Sequence, residues 1–388
     1  MSALLEHWRL INNSLLMRYY LFIFLFLFSL LNLMAQEKSR EWPVYRGKPD
    51  LTGRSDYEIS SEPKLLWSLA TGTRTKSSPV VSDGMIFFGN EKGILFAITS
   101  DGKIKWKYDS QSSIDAPPLI SANKVIFGSS DGVLRAADKT TGKLLWSYKT
   151  ENQIAGSANA WESGNKSGVV VGSYDYCLHS VNPESGKQMW KIETGNFING
   201  APAVSGNKIV FGGCDGLLRI IDPLSGKQKD SVEVGVYIAA SPALSSDMAY
   251  FGDYEGTLYC IDLSSGKMVW KTETSAESGS ILAVPAVGKG LVIVGNDDKF
   301  LYCFNSSDGK LRWKFRTNGP ITGSAVISLD KVLFASTDGN VYVLRQSDGT
   351  KLWNFYTGSP VSSSPAVIKD NFIILTDDGR VLSFGLKK

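Results

Sequence analysis

"DGVLRAADKTTGKLLW", Asp131 to Trp146, decides how the rest of the chain is read. An Asp-Gly turn, an alternating apolar segment, a Thr-Gly-Lys turn and a closing tryptophan describe strands joined by tight hairpins. The text returns as "EGTLYCIDLSSGKMVW" (Glu255 to Trp270), "DKFLYCFNSSDGKLRW" (Asp298 to Trp313) and "GNVYVLRQSDGTKLW" (Gly339 to Trp353). Each copy follows a small-residue and proline step, as in "SSPVVS" (Ser77 to Ser82), and usually an apolar run ending in glycine, as in "KVIFG" (Lys124 to Gly128). One unit is therefore four antiparallel strands in about 40 residues, the period of β-propeller blades.

The tryptophans Trp67, Trp106, Trp146, Trp190, Trp270, Trp313 and Trp353 mark the outer strands and are expected to dock one blade on the next. The gap between Trp190 and Trp270 is doubled, and Val232 is expected to stand in the missing tryptophan's place. A lone outer strand, "LLWSL" (Leu65 to Leu69), precedes the first small-residue opening, while the chain ends at "VLSFGLKK" in a hairpin lacking its own outer strand. One spare strand matches one missing strand. The expectation is an all-β, eight-bladed β-propeller of four-stranded antiparallel blades over residues 65–388, closed by the N-terminal strand completing the last blade. Residues 36–64 are expected to form an extended segment ahead of it.

The stretch "MRYYLFIFLFLFSLLNLMAQ" (Met17 to Gln36) has a basic start, an apolar run and a small residue before the break, the layout of a secretory signal peptide over residues 1–35. Met17 is an alternative start, and a retained anchor is the alternative fate, although the run is short for a membrane span. No cysteine lies near the cleavage point, so no lipid anchor is expected, and the location is periplasmic or secreted. Cys177, Cys214, Cys260 and Cys303 are expected to be free thiols, because Cys260 and Cys303 hold the same slot in neighbouring units, too far apart to bridge. The net charge of +3 offers no reason to expect nucleic acid or an anionic membrane as partner.

Absences narrow the chemistry. His179 is the only histidine after the leader, in "CLHSV", where sister units carry Phe96, Tyr259 or Tyr302. A histidine metal cluster, a Ser-His-Asp triad and a haem site all need more. The glycines of "GKGLVIVG" (Gly288 to Gly295) join two strands rather than a strand and a helix, so they do not cradle a pyrophosphate. The pairs Asp297-Asp298 and Asp377-Asp378 fall where turns favour aspartate for backbone reasons. No catalytic, cofactor or metal residue is assigned. What varies between units is the loop leading from one blade to the next, and there Arg74, Lys76, Gln153, Phe197, Asn199 and Tyr237 break the small-residue pattern. Aromatics, amides and local positive charge around the axial mouth suit a peptide or ligand.

The run of Ala or Cys, Asp, "TGK" or "SGK" and Trp, as in "AADKTTGKLLW" and "CIDLSSGKMVW", resembles the docked propeller repeat of pyrroloquinoline-quinone (PQQ) dehydrogenases and their cofactor-free relatives. Within that group the chain is most similar to the PQQ-like repeat proteins of the BamB family, the outer-membrane barrel assembly factors, and "EWPVYRGKPDLTGRS" resembles a lead-in of such exported proteins. The resemblance implies a monomeric, non-enzymatic scaffold that holds a protein partner, such as barrel assembly components. The alternative it leaves open is a quinone-dependent oxidoreductase, with PQQ and calcium at the axis, or a carbohydrate-active protein using the axial mouth. Against the quinone stand two departures: the chain has no adjacent cysteines and no domain to receive electrons.

Overall fold

The computed structural model describes residues 41–238, 240–274 and 279–386. The leader assigned to residues 1–35 lies outside them. Among the described residues every regular element is a strand, and no helix is long and apolar enough to cross a membrane.

Eight antiparallel sheets follow one another: blade 1 (80–109), blade 2 (119–149), blade 3 (159–193), blade 4 (203–233), blade 5 (243–273), blade 6 (286–316), blade 7 (326–356) and blade 8 (366–385). Middle strands lie between two neighbouring blades and are covered on both faces, so they read as continuous apolar runs, such as the buried Val125, Ile126 and Phe127. Outer strands have one face in solvent and therefore alternate. Closure is as expected: Lys64–Ala70 completes blade 8, with Trp67 opposite Ser383 and Leu69 opposite Val381 of Arg380–Gly385.

The recurring hairpin explains itself at the seams. Each of six indoles donates its Nε1–H to a backbone carbonyl in the next blade: Trp67 to Ser100 (2.8 Å), Trp106 to Lys139 (3.0 Å), Trp146 to Pro183 (3.0 Å), Trp190 to Pro223 (2.8 Å), Trp270 to Ser306 (3.0 Å) and Trp313 to Gln346 (2.9 Å). The ring then lies flat over the glycine of that blade's turn. At Gly142 a Cβ would come within 2.7 Å of the Trp106 ring, and the backbone there has φ of 73°, so only glycine satisfies both demands. Trp353 has no such turn to dock on, because the outer strand of blade 8 comes from the other end of the chain. It packs edge-on against Phe384 instead, at 5.6 Å between centroids.

One sequence assignment is corrected by the register. Asp230, not Val232, fills the missing tryptophan's slot: it sits opposite Ile220 as Trp190 sits opposite Ser180 and Trp270 opposite Cys260. Val232 lies two residues further along the same face, opposite Leu218, where Ile192 and Phe315 lie in other blades. Strand alternation puts both on one face, so polarity alone misidentified the slot. All four cysteines are free, and Cys177, Cys260 and Cys303 are buried.

The segment ahead of the propeller is part of it. Backbone carbonyls of Trp42, Pro43, Pro49, Asp50, Thr52 and Gly53 accept the inner-strand N–H groups of Val81, Ile120, Val204, Leu244, Val287 and Ile327, on blades 1, 2, 4, 5, 6 and 7. Asn159 of blade 3 reaches the Pro49 carbonyl through its side chain at 2.7 Å. Arg54–Ser55 even adds a fifth strand to blade 7, parallel to Val326–Ser328. The innermost strands would otherwise present unpaired N–H groups to the axis, and this single stretch satisfies them in turn.

Candidate binding rim and propeller axis

Every loop that enters a blade makes the same anchoring contact. In all eight, its carbonyl accepts an N–H from the second-to-third-strand turn of that blade, as in Glu91 to Arg74 (3.1 Å), Tyr174 to Gln153 (2.9 Å), Cys214 to Phe197 (3.0 Å) and Tyr254 to Tyr237 (3.1 Å). The next residue, usually isoleucine, is buried; Ile198 packs so closely on Gly172 that a Cβ there would lie 2.3 Å away. The backbone of the rim is therefore fixed eight times over, and its variable side chains stand on a rigid ring.

The six expected rim residues fall into two groups. Gln153, Phe197, Asn199 and Tyr237 lie on one arc over blades 3 to 5. Arg74 and Lys76 lie between blades 8 and 1, where both approach Glu91, at 4.0 and 3.9 Å. Three residues that the sequence reading did not single out complete the arc. Tyr174 and Tyr176 pack on the Phe197 ring at 4.6 and 5.1 Å between centroids, and Tyr254 stands beside Tyr237. Tyr237 is 58% exposed and Tyr254 55%. Asn199 is half-buried and donates its amide to Cys214 Sγ at 3.0 Å, while burial pushes that thiol's pKa up, keeping it protonated. Tyr174 and Tyr254 sit at the turn position where other blades carry Glu91, Ser130 or Asp297, and Tyr176 takes the position of turn glycines such as Gly93 and Gly132; comparing turns as well as loops between units finds all three.

The turns carry a second repeated device, and it accounts for His179. An aspartate in the turn clamps the residue four positions on: Asp131 with Arg135 (2.6 Å), Asp215 with Arg219 (2.6 Å), Asp298 with Tyr302 (2.5 Å), Asp338 with Tyr342 (2.6 Å), and Asp175 with His179 (3.0 Å). Burial acts to raise the Asp131 carboxyl, but the hydrogen bonds from Arg135 and Ser129 win and hold it at about 2. At His179 burial dominates over the pull of Asp175 and pushes the imidazole below its usual 6.5. Asp175, Cys177 and His179 bring three ligand-type atoms within 4.8 Å of one another. Both ring nitrogens of His179 are already bound, Nε2 by Asp175 and Nδ1 by the Tyr148 hydroxyl at 2.9 Å. Burial also raises the Cys177 thiol, away from the thiolate a metal needs. The cluster is the blade 3 version of the clamp.

At the axis the blades meet through small residues, whose hydroxyls tie one blade to the next: Ser78 accepts the Ser364 N–H (2.9 Å), Ser364 that of Ser324 (2.9 Å) and Ser324 that of Val284 (2.8 Å). Into this ring reaches the Val44–Gly47 turn. Tyr45 Oη lies 3.1 Å from Ser324 Oγ, and the Arg46 side chain is closed off by the protein, 1% exposed, its pKa pushed down by burial to about 10. The guanidinium has no hydrogen-bond partner among the described residues. Its charge would suit the acid groups of PQQ, but its nitrogens present no open face, and the ring positions are serine, alanine or valine, which offer calcium no carboxylate. The residues at the axis do not fit that pair.

A family model described as outer membrane protein assembly factor BamB matches residues 60–165, 162–281, 215–353 and 255–388. Among solved structures the chain is similar to BamB from Moraxella catarrhalis, at 19% identity and a TM-score of 0.71, over 84% of this chain and all of that one. It is similar as well to quinohemoprotein alcohol dehydrogenase from Comamonas testosteroni (15%, TM-score 0.79, 91% of this chain and 82% of that one) and to a europium-containing methanol dehydrogenase (14%, TM-score 0.80, 92% and 100%). No curated protein sequence matches it significantly. At such identities the structures share a fold and nothing finer, whereas the repeated family matches run from the closing strand to the C-terminus: the chain belongs to the BamB family of PQQ-like β-propellers.

Proposed function

We propose that this protein is a non-enzymatic, exported binding propeller that holds an extended polypeptide on its rim, in the service of outer-membrane protein assembly in the periplasm. One observation carries the reading: five aromatic residues, Tyr174, Tyr176, Phe197, Tyr237 and Tyr254, gather on one arc of a ring whose backbone is otherwise repeated eight times. Rigid aromatics lose little entropy on binding and dominate the energy of protein contacts. Family membership and the occupied axis support the same reading.

The test is site-specific photo-crosslinking in cells from Tyr237, with Arg74 as a second site. Adducts with barrel-assembly components or nascent outer-membrane proteins from Tyr237, lost in Phe197→Ala, are the expected outcome. Crosslinks to neither class sink the assembly role. Retention of added PQQ with calcium, together with dye-reducing activity, would replace the scaffold with the oxidoreductase reading.

A further inference from the structure

The face opposite the rim carries the turns between inner and second strands and between third and outer strands. Three of its seams are matched in charge. Lys139 of blade 2 meets Asp83 of blade 1, Lys124 of blade 2 meets Glu184 of blade 3 (2.6 Å), and Lys208 of blade 4 meets Asp247 of blade 5 (2.6 Å).

The seam between blades 6 and 7 has no such cross-blade ion pair among the described residues, and its wall is rich in cations. A cavity of about 480 Å³ opens there, and three cations line it: Lys289, Arg312 and Arg345. Arg345 takes the slot at the end of the third strand where other blades carry Asp138, Asp222 or Asp262. It pairs with Asp348 (3.1 Å), and the one carboxylate in the wall, Asp330, is committed to Lys331 (2.8 Å). Lys289 forms no ion pair among the described residues, though, with the Lys331 hydrogen bond, its charge helps lower the Asp330 carboxyl from further off, and Arg312 donates to Asn305 Oδ1 at 3.4 Å rather than to a carboxylate. Gln346, 6% exposed, closes the floor of the seam: its backbone is used by Asp330 and Trp313, and its Nε2 is buried behind the wall.

We propose that this cavity binds a monosaccharide-sized, hydroxylated anion. Lys289 and Arg312 line it where its acid group would sit, and the Ser347 hydroxyl, with the neighbouring walls of Asn305 and Gln346, lines it where its hydroxyls would sit. The volume lies within the range of small-molecule sites and exceeds what an inorganic ion fills. Charge-assisted hydrogen bonds from arginine and lysine are the strong ones available to hold a carboxylate or phosphate.

The experiment is calorimetric titration of the full chain with glucuronate, a hexose phosphate, inorganic phosphate and glucose. Saturable binding of glucuronate or the hexose phosphate is expected, the stronger of the two identifying the acid group, with glucose and inorganic phosphate each weaker by about tenfold or more. Lys289 and Arg312 are exposed, so Lys289→Gln with Arg312→Gln leaves the melting temperature unchanged and weakens binding by at least about tenfold. Binding of glucose as strong as that of the acids overturns the charge argument. Inorganic phosphate binding as strong as the sugar acids overturns the size argument, and no saturable binding, or binding untouched by the double substitution, overturns the site.

Discussion

The periphery and the axis of this propeller hold the ring together by opposite means. At the periphery one contact, an indole over a glycine with its N–H on a carbonyl, recurs at six seams, so each copy secures only its own pair of blades. At the axis a single non-repeating segment, residues 42–57, touches the inner strands of blade after blade. Redundant contacts fail locally, while a contact made once and shared by all fails everywhere.

Removing residues 42–57 while keeping the closing strand from Lys64 tests that difference most severely. The loss of at least six backbone hydrogen bonds and of buried Trp42, Val44 and Leu51 is expected to cost more than about 5 kcal/mol, read as a large fall in denaturation midpoint with dye binding to exposed apolar surface. If the truncated chain unfolds like the full one, the axis is not a shared clamp. Trp146→Ala attacks one seam instead and is expected to cost about 3–5 kcal/mol. Hydrogen exchange should then rise in blades 2 and 3 and stay unchanged in blades 6 and 7; uniform loss of protection contradicts local failure.

The comparison can also be sharpened by completing the periphery. Asp230 lies where an indole is missing, with its carboxylate against Gly266, so Asp230→Trp is expected to stabilise the chain by about 1 kcal/mol by adding the seventh docked indole. A destabilised variant would show that the blade 4 to blade 5 seam has diverged from the others.

A smaller effect is expected at the turn clamps. Because burial lowers the folded pKa of His179 below 6.5, the unfolded chain takes up its proton first on acidification. That contribution to stability is complete above pH 6.5 and is lost as pH falls from there through the folded pKa. His179→Tyr, copying Tyr302 and Tyr342, should remove this slope, and denaturation midpoints between neutral and mildly acid pH read it directly. An unchanged slope would place its origin elsewhere. At the far end, Tyr237→Ala is expected to change stability by less than about 0.5 kcal/mol while weakening partner capture, since its ring is largely in solvent.

The chain order of strands, the number of blades and the closing pair were all legible in the primary text. Hairpin turns, strand alternation and tryptophan spacing are local signals repeated until their period is unmistakable. Arg74, Lys76, Gln153, Phe197, Asn199 and Tyr237 were found as departures from that period, but their division into two arcs was not, because separation around a ring is not separation along a chain. The tyrosines of the turns lie in positions that only a comparison of turns, not of loops, sets apart, whereas the cations of the blade 6 to 7 seam come from a turn and two strands of two blades and meet only in the ring.

What the amino-acid sequence determined alone is the repeating half of the molecule, where each residue's neighbours lie within one unit or the next and the same physics is written out eight times. What only the tertiary structure decided is everything made once. Examples are the lead-in segment lying over the inner strands, Asp230 in the indole's slot, and the aromatic arc beside Cys214. The reason is that a contact without a repeat has no second copy to betray it; its partners meet only when the ring has closed.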